Sequence, residues 1–307
     1  MTYFALFIML LFLPVLAQAQ QVTLEGEATV KYEWQQYQKS GIADREFIKK
    51  TLHLTATTPL SAKTTLFLRV GHQSYSGDSS EPTKTALDQY GLRWKNSHTT
   101  ITVGSQETYL GTSGAIFDNT LNVSEGMFQG IDIRNKKGSH AYHLIGGRLD
   151  ADLFADHRAR PFTGGELARY FGNTRFLVTY LHMPDLPMPA DEFRGCSINS
   201  PMGKAEWFAE WIRSSASYRN RAFLAGIKYY PTKRQLFKLV AGELSDNSVP
   251  AGKSSLGGYD NGIRGFQLTA VHSLTPFNRL AIKYSNVKTI TTDIPIQKTE
   301  VEFIHLF

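Results

Sequence analysis

One cysteine, Cys196, stands in 307 residues, so no disulfide can form within the chain. A lone thiol suits a protein that crosses an oxidising compartment without mispairing. Beyond residue 16 no run of about 18 apolar residues occurs, which excludes a transmembrane helix from the rest of the chain. Like charges never form a block of five, and the net charge of +6 is dispersed, which argues against a nucleic-acid partner. Low-complexity stretches and Pro/Ser-rich linkers are missing too, so the sequence after its first residues reads as one domain. There is no Gly-x-Ser-x-Gly elbow, no His-Glu-x-x-His and no phosphate-binding loop. The chain is therefore read as not an enzyme, and no cofactor or metal is expected. Ser, His and Asp are plentiful, but a triad is a geometry that spacing does not define.

What is present begins with residues 4–16, FALFIMLLFLPVL, an apolar run too short to span a bilayer comfortably as a helix. Ala17-Gln18-Ala19 follows and fits the small-x-small pattern cut by signal peptidase. Residues 1–19 are read as a secretory signal peptide, although no Lys or Arg precedes the run. The roughly 288 residues that remain, 20–307, are long for one soluble domain and ordinary for a single barrel.

The dominant pattern is period two. Near the start of this stretch Val22, Leu24, Gly26, Ala28, Val30, Tyr32 and Trp34 fall on one face, and Thr23, Glu25, Glu27, Thr29, Lys31 and Glu33 on the other. A face with three glutamates and a lysine has to meet water, so the apolar face meets something else. The pattern recurs as hairpins with tight turns at Ser61-Ala62-Lys63, Asn96-Ser97, 135–138, Gly172-Asn173, Met202-Gly203, Pro231-Thr232 and Thr275-Pro276, where Gly, Pro, Asn and Ser provide the turn conformations. Longer polar connections alternate with them: 74–86, 109–126, 149–162, 183–191, 246–260 and 289–296, with shorter ones at 38–44 and 214–220.

Seven hairpins plus an opening and a closing strand predict an all-β, transmembrane antiparallel β-barrel of about 16 strands. The segments near 163–171 and 191–199 give the weakest strand signals. Short turns on one side, long loops on the other and both termini on the short-turn side match bacterial outer-membrane barrels, with short periplasmic turns and long external loops. A closed barrel leaves no backbone group unpaired, as lipid requires. Trp94, Trp207, Trp211 and Tyr229, with Phe303 and Phe307, lie on apolar faces, several near strand ends where aromatic girdles form. A soluble β-sandwich also alternates, but at this size it needs two domains and would hide its terminal Phe.

Together, the N-terminal signal, the alternating hairpins and the ending TEVEFIHLF make the chain similar to the bacterial outer-membrane porins, over essentially all of residues 20–307. The resemblance implies that Phe307, with Val301 and Phe303 at alternate positions, is the signal read by the barrel-assembly machinery. His305 departs from the pattern, since an aromatic is usual there. It also implies that the third long connection, about residues 109–128, folds into the pore. That connection has Gly111 and Gly114 for a sharp bend, Ile116-Phe117 to pack on the wall, and the acids Asp118 and Glu125; the Pro-Glu-Phe-Gly run of enterobacterial porins is absent. Outer-membrane lipids, lipopolysaccharide and a homotrimer, latched by the loop SYSGDSSEPTK, are the partners it implies.

Barrels of about 16–18 strands leave an aqueous channel. Parity puts Lys49, Arg69, Arg93, Arg134, Arg148, Lys228, Lys238 and Lys283 on water-facing sides, with Glu25, Glu27, Asp132, Glu206, Glu210, Glu300 and Glu302. The expected constriction sets Asp118 and Glu125 against Lys49, Arg69 and Arg93, a transverse field that passes small hydrophilic solutes and ions. The basic tilt points to a weak anion preference. The alternative is a substrate-specific or structural outer-membrane barrel: a receptor, exporter or envelope-anchoring component without general pore activity. Three further features read as incidental: Asp150, Asp152, Asp156 and His157 as a calcium-like cluster, the sequon at Asn122-Val123-Ser124, and Cys196 as a small wall residue.

Overall fold

The computed structural model describes residues 22–38, 41–79, 81–119, 123, 126–150, 158–186, 188–250, 256 and 261–307. The expected signal peptide, the sequon at Asn122, and Asp152, Asp156 and His157 lie outside them, as does Glu125. Sixteen strands close into an antiparallel barrel. They are β1 (Thr23–Tyr37), β2 (Arg45–Pro59), β3 (Thr64–Gly77), β4 (Lys84–Lys95), β5 (Thr99–Gln106), β8 (Phe128–Lys137), β9 (His140–Leu149), β10 (Arg160–Phe171), β11 (Thr174–His182), β12 (Glu192–Met202), β13 (Ala205–Ser214), β14 (Arg221–Tyr229), β15 (Gln235–Leu244), β16 (Ile263–Ser273), β17 (Asn278–Thr289) and β18 (Pro295–Leu306). Two short strands, β6 (Tyr109–Leu110) and β7 (Phe117–Asp118), pair with each other inside the segment that joins β5 to β8.

Each wall strand pairs with its chain neighbours, and β18 returns to β1. At that seam Val30 lies opposite Phe303, Lys31 opposite Glu302 and Glu33 opposite Glu300. Gly26 and Phe307 exchange backbone hydrogen bonds of 2.7 and 3.0 Å, so the last residue is tied into the closure. Gly26 leaves room for the terminal ring: a Cβ there would sit 2.3 Å from the Phe307 ring and push it aside. The weakest strand signals belong to β10 and β12, which are full wall strands. Strands generally run further than turn residues suggest. β3 continues to Gly77, and β8 continues through Lys137 before turning at Gly138, whose φ of 60° suits glycine.

Two faces follow from the register. Outward stand Val30, Leu54, Val103, Ile131, Leu144, Leu167, Val178, Phe223, Leu268 and Ile282, each between 44% and 64% exposed. Leaving such side chains in water forgoes about 1.5–3 kcal/mol apiece, and a continuous band of them fits lipid instead. Arg148 belongs to this outward face, in register with Gln129 and Pro161, and not to the lumen as parity suggested. It sits beside Leu149 at the long-loop end of β9, where β9 has apolar residues on both faces and the period-two signal fails.

Inward the barrel is not uniformly polar. Phe128, Phe162, Leu181, Phe193, Ile212, Leu224, Val240, Leu244 and Ile263 face the lumen from the long-loop ends of β8 to β16, and all are buried. They join Met183, Val249 and Leu256 of the external connections in one core. The sequence reason is visible in β11, TRFLVTYLH. Phe176, Val178 and Tyr180 point out while Leu177 and Leu181 point in, as expected of a strand covered on both sides. The external connections over this core are cross-linked. Arg219 pairs with Asp246 and donates to Thr291 at 2.7 Å, and the Asn247 amide donates to the Arg219 carbonyl at 2.9 Å.

Candidate functional site in the barrel lumen

The segment from Glu107 to Met127 leaves β5 and runs across the inward wall. Its root is fixed twice. Glu107 bonds Arg69 at 2.6 Å, and Thr108 donates to Asp132 at 3.2 Å. Burial holds the Glu107 carboxyl above its usual range, with the Arg69 charge pulling the other way. Asn119 staples the base of the loop, accepting from the Thr108 amide at 2.7 Å and donating to the Gly126 carbonyl at 2.8 Å.

Further along, two buried carboxylates on the wall hold the backbone. Glu166 on β10 accepts from the Gly111 amide at 2.6 Å. Glu210 on β13 accepts from the amides of Thr112 at 3.1 Å and Ser113 at 3.0 Å, and from the Ser113 hydroxyl. Gly111 turns with φ of 91°, and a Cβ there would meet Glu210 Oε1 at 2.3 Å, so only glycine permits this approach. Charge-assisted bonds of this kind are about twice as strong as neutral ones. The Thr112 hydroxyl also meets Ser197 on β12 at 2.6 Å.

Apolar side chains complete the anchorage. Ile116 packs at Gly195, where a Cβ would lie 2.4 Å from it, and the Phe117 ring meets Phe162 at 4.6 Å. Val123 lies on the opposite wall. The Val123 amide donates to Gln73 on β3 at 3.0 Å, and its side chain lies over Gly71.

The expected bases behave differently from one another. Arg69 forks onto Asp88 at 2.9 and 2.8 Å besides meeting Glu107. A bulge makes this possible: Arg69 pairs with Gln89 and Val70 with Leu87, which leaves Asp88 as an extra residue aimed inward. Arg69 is therefore a root anchor. Arg93 lies near the short-turn end of β4, its guanidinium 5.1 Å from the Phe67 ring, away from the segment. Lys49 faces the lumen opposite Lys31 and Tyr75, with its ammonium 5.8 Å from the Tyr75 ring.

Inward on β15, Lys238 stands directly opposite Lys228 on β14, and Lys283 on β17 lies in the same register through Thr269 of β16. Lys228 pairs with Glu206 at 2.6 Å. Lys283 stands 3.5 Å from Glu302 and 3.8 Å from Glu300. Across the seam Lys31 and Lys298 each contact both Glu33 and Glu300, at 2.8 to 3.2 Å. The wall from β14 round to β2 is thus a ladder of lysines interleaved with acids. Below the segment a cavity of about 300 Å³ is lined by Tyr109, Arg134, His143, Glu166 and Arg175. His143 there lies between Asp132 at 2.8 Å and Glu166 at 3.6 Å.

Asp88, Glu107, His143, Glu166 and Ser197 are working parts that sequence reasoning missed. Glu166 carried one usable signal, an acid at the same parity as Phe162, Gly164 and Ala168. At the outward sites, Val301 and Phe303 share the face of Val30 and Tyr32. Trp94, Trp207, Trp211 and Tyr229 all point outward. Trp94 and Tyr229 are at short turns, Trp207 is the third residue of β13 and Trp211 the seventh. His305 stacks on Phe307, ring centroids 5.7 Å apart, and its Nδ1 lies 2.8 Å from Asn278, so the unusual letter is accommodated at the seam.

A closed sixteen-strand barrel with a long segment laid along its inner wall defines a general-porin-like transmembrane β-barrel. Solved structures agree. A substituted variant of the Rhodopseudomonas blastica porin superposes with a TM-score of 0.61 at 9% identity, covering 92% of this chain and all of that one. OmpF of Salmonella typhi, solved in complex with daunomycin, gives 0.63 at 11% identity, covering 93% of this chain and 97% of that one. At these identities the likeness speaks for the fold. No family model matches the sequence, and no curated protein matches it.

Proposed function

We propose that this chain is a bacterial outer-membrane porin, a water-filled channel for passive diffusion of small hydrophilic solutes and ions. One observation carries the reading. A segment held by Glu166 and Glu210 lies along the inner wall and carries Asp118 inside the lumen, and the wall from β14 to β2 bears a ladder of lysines. A carboxylate on one side and ammonium groups on the other give a transverse field that polar solutes tolerate and apolar ones do not. The constriction of this proposal is Asp118 and Glu125 on the segment, with Lys238 and Lys49 on the wall. The chain is exported by residues 1–19. It is inserted by the barrel-assembly machinery through Phe307, Phe303 and Val301, and seated in lipid by Trp94, Trp207, Trp211 and Tyr229. It works as a trimer among outer-membrane lipids and lipopolysaccharide.

Single-channel recording in a planar bilayer tests this. Stable ohmic current steps are expected, and K238Q should move the reversal potential in a salt gradient toward cations. A correctly folded barrel that leaves the bilayer silent overturns the proposal. The second reading, a substrate-specific or structural barrel, is favoured by the apolar core that fills the long-loop end of the lumen along β8 to β16. In that case small-ion conductance is absent or very low.

A further inference from the structure

Three arginines form a row on the outward face at the long-loop end of the wall. Arg194 on β12 is directly opposite Arg213 on β13, and Arg213 is directly opposite Arg221 on β14. Opposed positions put Cβ atoms about 4.5–5.5 Å apart, where like charges repel. Arg194 has one acid, Glu192, at 2.7 Å, and its side chain remains 70% exposed. Arg213 and Arg221 have no side-chain partner among the described residues. The contrast along the same rim is Arg264, which carries its own acid, Asp293, at 3.2 Å. Just below the row lie the exposed apolar Trp211 and Phe223. Beside it opens a cavity of about 340 Å³ bordered by Arg194, Arg213, Ser215 and Asn220, with Glu192, the acid already paired to Arg194, on its edge.

We propose that this row binds the phosphate of a phosphorylated lipid headgroup, of the kind the lipid portion of lipopolysaccharide carries. The inference rests on the outer-membrane reading above. Each guanidinium presents a planar fork of donors that matches phosphate oxygens bidentately, and a multiply charged phosphate relieves the repulsion within the row. The position selects lipid over a soluble anion. The row stands on the lipid-facing side, at the upper edge of the exposed apolar band, so a ligand with acyl chains satisfies both surfaces at once. In the cavity the Asn220 amide nitrogen is held by the Ser214 and Ala216 carbonyls, which leaves its Oδ1 to accept from a sugar or glycerol hydroxyl.

Native mass spectrometry of the folded full chain in detergent, titrated with diphosphorylated lipid A, tests the site. Each Arg→Gln change should weaken retention about fivefold, and R194Q/R213Q/R221Q together about a hundredfold. R148Q, an outward arginine outside the row, should bind as the unchanged protein does. Dephosphorylated lipid A should be lost like the triple variant. Unchanged binding by the triple variant, equal binding of the dephosphorylated lipid, or displacement by inorganic phosphate alone each overturns the proposal. Heat-modifiable migration checks folding, and R221Q alone is read if the triple variant does not fold. A barrel that conducts but retains no phosphorylated lipid overturns this inference alone, and a silent barrel that retains it overturns only the channel.

Discussion

Replacing Glu210 by alanine should free the inserted segment from the wall. Its carboxylate accepts from the Thr112 and Ser113 amides and the Ser113 hydroxyl. Allowing about 1.5 kcal/mol for each bond to a charged acceptor, the low end of the range, gives about 4.5 kcal/mol for the three. Glu166 adds about 1.5 kcal/mol through Gly111. Buried Leu110, Ile116 and Phe117 add about 6 kcal/mol at roughly 2 apiece. Against this total of about 12 kcal/mol stands the order imposed on residues 109–118, about 10 kcal/mol at roughly 1 per residue. The surplus of about 2 kcal/mol keeps the segment docked at roughly 30 to 1, and losing about 4.5 turns it to roughly 1 to 70. E210A should therefore show larger and noisier unit conductance and rapid amide exchange at Gly111, Thr112 and Ser113. E210Q keeps the shape without the charge and should fall between. Wild-type conductance and exchange protection in E210A would refute both the anchoring and the ledger.

Three further expectations follow from other parts of the barrel. G26V pushes a branched side chain into the Phe307 ring, so overpacking of about 1–3 kcal/mol should lower refolding yield and the heat-modifiability midpoint; an unchanged midpoint contradicts the seam geometry. D88A strips Arg69 of its forked partner and should cost about 3 kcal/mol in urea unfolding followed by tryptophan fluorescence, near the low end for a broken buried pair because Glu107 remains. Asp293, in the connection from β17 to β18, is held below the usual aspartate range by hydrogen bonds from Lys288 and Arg264. A depressed acid contributes order above its unfolded value and loses it as pH falls through the folded one. Protease resistance of residues 290–294 should thus persist from neutral pH to about 4 and fall only below that. Loss of protection near pH 6 would contradict this assignment.

Legibility differed by region for physical reasons. The hairpins at Ser61-Ala62-Lys63 and Gly172-Asn173 were readable because tight turns demand particular residues and the lipid-facing side demands apolar ones. Arg148 was misplaced because β9 is apolar on both faces near its end, which erases the period-two signal. Asp88 was missed because it belongs to a bulge, and one extra residue reverses the face that parity assigns.

By itself, the sequence determined that the chain would form about sixteen two-faced strands, put its outward face in lipid and close through its last residue. Those outcomes depend on local alternation and turn chemistry, which neighbouring residues encode. Only the tertiary structure decided which charges meet. Glu210 holds Thr112 and Ser113 from nearly a hundred residues away, Lys31 and Lys298 meet Glu33 and Glu300 across the seam, and Arg69 is spent on Asp88 and Glu107. It also decided that the long-loop end of the lumen is an apolar core, because inward positions become buried only when connections from distant strands fold over them. Alternation encodes the side of the wall on which a residue stands, and closure of the barrel determines what it meets there.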